Sequence, residues 1–166
     1  MTVSRKEIER YLGCRGGADE RTRAMIEQCL TELERVVTPH TVTQEVSLSI
    51  DGDRLQIGSL AVTSHGLAHH LRGCTGAVLM AVTLGPGADR LLHQKECTDM
   101  SVAVVMQACA AAMVEAVCED IQRSIEQSAA ARGLYIRPRF SPGYGDFPIA
   151  HQRDFSRLLD TPRKIG

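Results

Sequence analysis

The residues best suited to chemistry gather toward the C-terminal end of the chain. Between positions 139 and 148 the sequence reads Arg139-Phe140-Ser141-Pro142-Gly143-Tyr144-Gly145-Asp146-Phe147-Pro148. A guanidinium grips a carboxylate through two parallel hydrogen bonds, and a tyrosine ring offers its π-face to a cation. Glycines let a ligand approach the backbone closely, and prolines narrow the shapes open to the free chain. Arg139 can therefore take a carboxylate and Tyr144 a positive charge. The same residues also make an ordinary proline-rich connector, and their types alone do not choose between the two readings.

Three other places carry reactive or ligating groups. On a 3.6-residue wheel Glu115 neighbours Ala108, Ala111, Ala112, Cys118 and Glu119. A carboxylate among small side chains leaves room for a ligand ammonium, or equally for another chain segment with Glu115 turned to solvent. His65 and His69 have the i, i+4 spacing that puts two imidazoles on one helix face, with His70 and Cys74 close by. No glutamate follows His65, so the zincin pattern fails, and histidines at a helix C-terminus also suit its dipole. Leu84-Gly85-Pro86-Gly87 links a predicted strand to a predicted helix, as phosphate loops do. Pro86 removes a backbone donor and no Gly-Lys-Ser/Thr follows, so a tight turn is the expectation there.

Composition narrows the field of functions. The chain has 166 residues, 19 Lys and Arg against 20 Asp and Glu, no Trp, three Tyr and three Phe. That balance supplies neither the basic excess nor the stacking platforms that nucleic-acid binding uses. Hydrophobic residues at 43% and charged residues at 23% fit a globular fold rather than a disordered chain. Six cysteines without a Cys-x-x-Cys pair read as reduced, structural thiols. No apolar run is expected to reach the roughly 20 residues that span a bilayer. The N-terminus has no signal-peptide core, so a cytoplasmic protein with no membrane contact is expected.

The elements that must position these residues follow from capping and periodicity. Ser4 and Glu7 fit a capping box for a helix running to about Leu12. Asp19 caps a second helix to about Val36, with Met25, Ile26, Cys29, Leu30 and Leu33 at helical spacing. Val42 to Ile50 alternates as a strand. Asp51-Gly52-Asp53 marks a hairpin, and Leu55-Gln56-Ile57 begins the return. Ser64 to Arg72 predicts a helix, Ala77 to Val82 a strand buried on both faces, and Ala88 to Lys95 another helix. From Asp99 to Ala131 there is neither Gly nor Pro, which predicts one long Ala-rich helix stopped at Gly133. Ala150 to Leu159 returns to a helical pattern. The fold class is α+β, a single domain over 1–166 with an antiparallel or mixed sheet.

The run Arg139-x-Ser141-Pro142-Gly143-Tyr144-Gly145-Asp146-x-Pro148 resembles the RxxPGY signature of the activation domain of cobalamin-dependent methionine synthase, in the form found in free-standing bacterial relatives. Val82-Thr83-Leu84-Gly85 is similar to the family's buried strand and turn. Val114-Glu115-Ala116 falls at the matching place in its long helix, and Tyr11-Leu12-Gly13 suits the opening helix of the free-standing group.

The resemblance implies an activation-domain-like fold that binds S-adenosylmethionine, lacking the C-terminal strands of the family. It implies that Arg139 takes the ligand carboxylate and Glu115 an ammonium or ribose hydroxyl. Ser141 and Gly143 would offer backbone groups, and Tyr144 would pack on the ligand. The implied work is positioning: the methyl donor is presented to cobalamin so that an inert corrinoid is reductively remethylated. No Asp-x-His-x-x-Gly run is present, so the cobalamin would come on a partner. The expected partner is a cobalamin-dependent methionine synthase lacking its own activation domain, or another corrinoid protein, with a flavodoxin-type electron donor. The chain would then be a component of that methyltransferase. The alternatives are a docking module for a corrinoid protein that binds no ligand, and a metal-binding protein using the His65 cluster.

Overall fold

The computed structural model describes residues 2–166. In chain order these form α1 (Arg5–Tyr11), α2 (Glu20–Glu34), β1 (His40–Asp51), β2 (Arg54–Ile57), β3 (Leu60–Thr63), α3 (His65–His70), β4 (Gly76–Thr83), α4 (Pro86–Thr98), α5 (Met100–Ala130), a 3-10 turn at Ile149–His151, α6 (Gln152–Leu159) and α7 (Thr161–Lys164). The α+β class is as expected, and the sheet is antiparallel. The chain divides into two compact units, Met1–His40 with Val82–Gln127, and Thr41–Ala81 with Ser128–Gly166.

The first unit is helical. Ser4 accepts a hydrogen bond from the Glu7 amide at 3.3 Å, but the Glu7 carboxylate pairs with Arg10, which leaves only the Ser4 half of the expected capping box on view. Asp19 accepts from the Thr22 amide at 2.7 Å, and hydrogen bonding to Thr22 lowers its pKa. Arg5 grips Glu27 with two bonds of 2.9 and 2.8 Å, tying α1 to α2. Lys95 meets Glu32 at 2.6 Å, tying α4 to α2. The core joins Ile8, Ile26, Leu30 and Leu33 to Met106, Cys109 and Met113 of α5. Ala103, Ala108, Ala112 and Ala116 are buried in the same helix, and such small side chains let packed neighbours approach the helix axis.

By length and composition α5 is apolar enough to cross a membrane, which corrects the expectation that no run would be. Within its most apolar stretch 56% is buried inside the protein, as in a core helix. Asp99 starts it by accepting from the Ser101 and Val102 amides at 3.0 and 3.2 Å. Gly133, at φ +71°, ends it, with the Leu134 amide returning to the Ala129 carbonyl at 3.0 Å.

The second unit holds the sheet, in the order β3-β2-β1-β4. Leu48 pairs with Ile57 and Ile50 with Leu55, then Leu55 with Val62 and Ile57 with Leu60. The sequence reading missed β3, because a four-residue strand behind Gly58-Ser59 carries too little period to detect. The run expected to be buried on both faces is β4, and it lies at the sheet edge. Leu79 is buried and most of its neighbours are half-buried. An antiparallel edge strand with one covered side needs no second covering layer. Leu55, Ile57, Val62, Leu67, Leu79, Phe147 and Leu159 form this unit's core. Arg132 pins the chain after α5 to β1 through two bonds to Glu45, 3.0 and 2.8 Å.

Candidate functional site

Within the second unit, residues 139–148 are built as two successive tight turns. The Tyr144 amide donates to the Ser141 carbonyl at 3.1 Å, with Pro142 and Gly143 as the central pair. Gly143 has φ +102°, the conformation that a Pro-Gly turn of the second type requires of its third residue. The next turn closes from the Phe147 amide to the Tyr144 carbonyl at 2.9 Å, and the Gly143 amide reaches the Phe147 carbonyl at 2.7 Å. Phe147 is 1% exposed and anchors the turns in the core. Its ring stacks on His151 at 5.3 Å and meets Phe155 edge-on at 5.9 Å.

The loop is strapped along α3 at both ends. Asp146 accepts from the Ser64 hydroxyl at 2.7 Å, the His65 amide at 2.6 Å and the Gly66 amide at 3.0 Å. These bonds, the Ser64 hydroxyl foremost and then the two amides, hold its carboxyl below the ordinary aspartate pKa. At the other end His70 Nε2 lies 2.8 Å from the Pro138 carbonyl, and Arg137 donates to the Arg72 carbonyl at 3.2 Å. The Phe140 ring sits between His70 (5.0 Å) and Tyr144 (5.7 Å, edge-on).

Of the residues expected to bind ligand, four share this loop. Arg139 and Ser141 are half-buried, Gly143 is exposed, and Tyr144 is 54% exposed. Glu115 is a half-buried residue of α5 in the first unit. The sequence gives Asp146 no role, Ser64 only the start of a helix and His70 only a place beside the His65 cluster, and it does not single out Gly66. The usable signal was Ser64 immediately before an apolar helical pattern, a helix N-cap. Nothing local says that a carboxylate 82 residues further on shares that cap.

The histidine cluster divides between two tasks. His65 Nδ1 meets Asp53 Oδ1 at 3.0 Å. With His69 it lines a cleft of about 330 Å³ shared with Ile50, Gly52, Asp53, Ala68, Arg72 and Gly73, while His70 serves the loop. Among the described residues no group of three or more His, Cys, Asp or Glu is placed to hold a metal ion. The Gly85-Pro86-Gly87 turn is explained by packing within the first unit. A Cβ at Gly87 would lie 2.2 Å from the Val36 carbonyl oxygen, and one at Gly85 would lie 2.5 Å from Thr38 Oγ1. These glycines serve a close approach of two backbones.

What the loop offers chemically is a backbone set in tight turns that carries a half-buried guanidinium and a half-exposed aromatic ring, groups that can meet a carboxylate and a cation. No protein-family model matches this chain, and no curated protein matches it with significant similarity.

Proposed function

We propose that this chain binds S-adenosylmethionine at the 139–148 loop and presents its methyl group to cobalamin held by a separate corrinoid protein. The observation that carries the reading is the fastened Arg139–Pro148 loop. The most specific of the stretches that resemble the methionine synthase activation domain is also a set of tight turns with Tyr144 half-exposed. A site whose task is positioning gains from such preorganisation, because little ordering is left to be done on binding. In this reading Arg139 takes the carboxylate, Ser141 and Gly143 face the ligand with their backbones, and Tyr144 covers it. The resemblance also assigns Glu115, on α5 in the first unit, to the ammonium or a ribose hydroxyl. The sulfonium is already activated as a methyl donor, so the step asks no general acid or base of the protein.

Isothermal calorimetry with S-adenosylmethionine and S-adenosylhomocysteine tests the reading. Saturable heat with both is expected. Absence of heat and of any thermal shift at millimolar ligand would replace it with a docking module that binds no ligand.

A further inference from the structure

We propose that Asp146 is the positioning latch of this loop: its seat on Ser64, His65 and Gly66 sets the conformation in which residues 139–148 meet a ligand. The ligand-binding part rests on the S-adenosylmethionine reading, whereas the latch itself rests on geometry.

The loop's own turns fix its local shape but not its orientation on the unit. Orientation comes from the straps, and Asp146 is the one inside the turns. It lies in the same four-residue turn as Tyr144, closed by the 2.9 Å bond from Phe147 to Tyr144. Both carboxylate oxygens are engaged, Oδ1 by the Ser64 hydroxyl and the Gly66 amide, Oδ2 by the His65 amide. All three partners are donors, so an ionised carboxylate is the matching group, and a side-chain amide would set its own N–H₂ against a backbone N–H. Ser64 is 2% exposed, and its hydroxyl donates to Asp146 while accepting from the Leu67 amide at 3.1 Å. Gly66 completes the seat. A Cβ there would stand 2.9 Å from Asp146 Oδ1 and 3.8 Å from the Phe140 ring. The neighbouring charge on Asp53 is directed to His65 Nδ1.

Two substitutions unseat the carboxylate in different ways. Asp146→Asn removes a matching acceptor. Gly66→Ala pushes on Oδ1 while improving helix propensity, so a neutral or stabilising effect is expected from it only if the Asp146 seat does nothing. Amide hydrogen exchange is measured on wild type and both variants, alongside S-adenosylmethionine titrations. The Gly143, Tyr144 and Phe147 amides should exchange about tenfold faster or more in both variants, since charge-assisted bonds are lost. The β1, β2 and α5 amides should stay as in wild type, which reports an intact fold. The ligand dissociation constant should rise about tenfold in parallel. Loop amides as slow as wild type in both variants overturn the latch. Faster loop exchange with unchanged affinity overturns its positioning role. If wild type itself binds no S-adenosylmethionine, the functional reading fails, and the exchange measurement alone decides whether Asp146 holds the loop.

Discussion

At the level of single residues, the loop sets a buried anchor beside an exposed ring. Phe147 is held inside, 1% exposed, while Tyr144 is half in solvent. Phe147→Ala should therefore destabilise the protein by about 3–5 kcal/mol, as a buried aromatic leaves a cavity, and urea unfolding measures it. Arg139→Ala should instead act on the ligand. A charge-assisted bidentate contact contributes roughly 1.5–3 kcal/mol, so S-adenosylmethionine should bind about ten- to a hundredfold more weakly. Arg139→Lys should recover only part of that, because an ammonium lacks the guanidinium fork. Tyr144→Phe should do less harm than Tyr144→Ala if the ring face is what the ligand meets. Wild-type affinity in both Arg139→Ala and Glu115→Gln would show that the residue roles implied by the resemblance are wrong here. Residue types singled out Arg139 and Tyr144, and the resemblance added Ser141 and Gly143. Neither was enough to see Asp146, whose partners Ser64, His65 and Gly66 are 80 or more residues away.

Among the elements, those legible in the sequence are the ones with local causes. Ser4 and Asp19 cap helices because each side chain reaches an amide three residues on. The α5 helix runs unbroken because nothing between its ends disfavours it. The misread elements depend on distant partners. β3 exists because β2 offers it an edge, and β4 is half-buried because of its place in the strand order. The Gly85-Pro86-Gly87 turn was legible as a turn, but its two glycines are explained only by Val36 and Thr38. Gly87→Ala should accordingly be strongly destabilising, because the atom it would strike is a backbone oxygen that cannot swing aside. Near-wild-type urea stability in that variant would mean the contact is not as close as 2.2 Å. The α3 helix and its strapped loop give a pH signature. Asp146 has a lowered pKa in the folded state, so its contribution is present at neutral pH and is lost as pH falls through that lowered value. The stability gap between wild type and Asp146→Asn should then be full at neutral pH and close below the ordinary aspartate range. A gap of equal size at both ends would assign the effect to shape rather than charge.

For the molecule as a whole, each compact unit has its own core, and neither is a continuous stretch of chain. This organisation was not legible beforehand, because hydrophobic periodicity reports which face is buried and not which distant segment buries it. The proposed activity is likewise a property of more than one part. The proposed remethylation acts on cobalamin held by a separate corrinoid protein, so it is tested in trans. In the proposed reaction one electron from a reduced flavodoxin-type donor and one methyl cation from S-adenosylmethionine would convert the partner's cob(II)alamin to methylcobalamin, with S-adenosylhomocysteine as the released product. The decisive mixture is a methionine synthase lacking its activation domain, poised as cob(II)alamin, with the electron donor, S-adenosylmethionine and this protein. The cobalamin absorption spectrum should pass to that of methylcobalamin only when all are present. Arg139→Ala should raise the S-adenosylmethionine concentration needed while leaving the saturated rate close to wild type, since a carboxylate contact far from the sulfonium is equal in ground and transition states. A fall in the saturated rate with unchanged half-saturation would instead place Arg139 at the methyl transfer itself. Conversion at the same rate without this protein would remove the proposed role altogether.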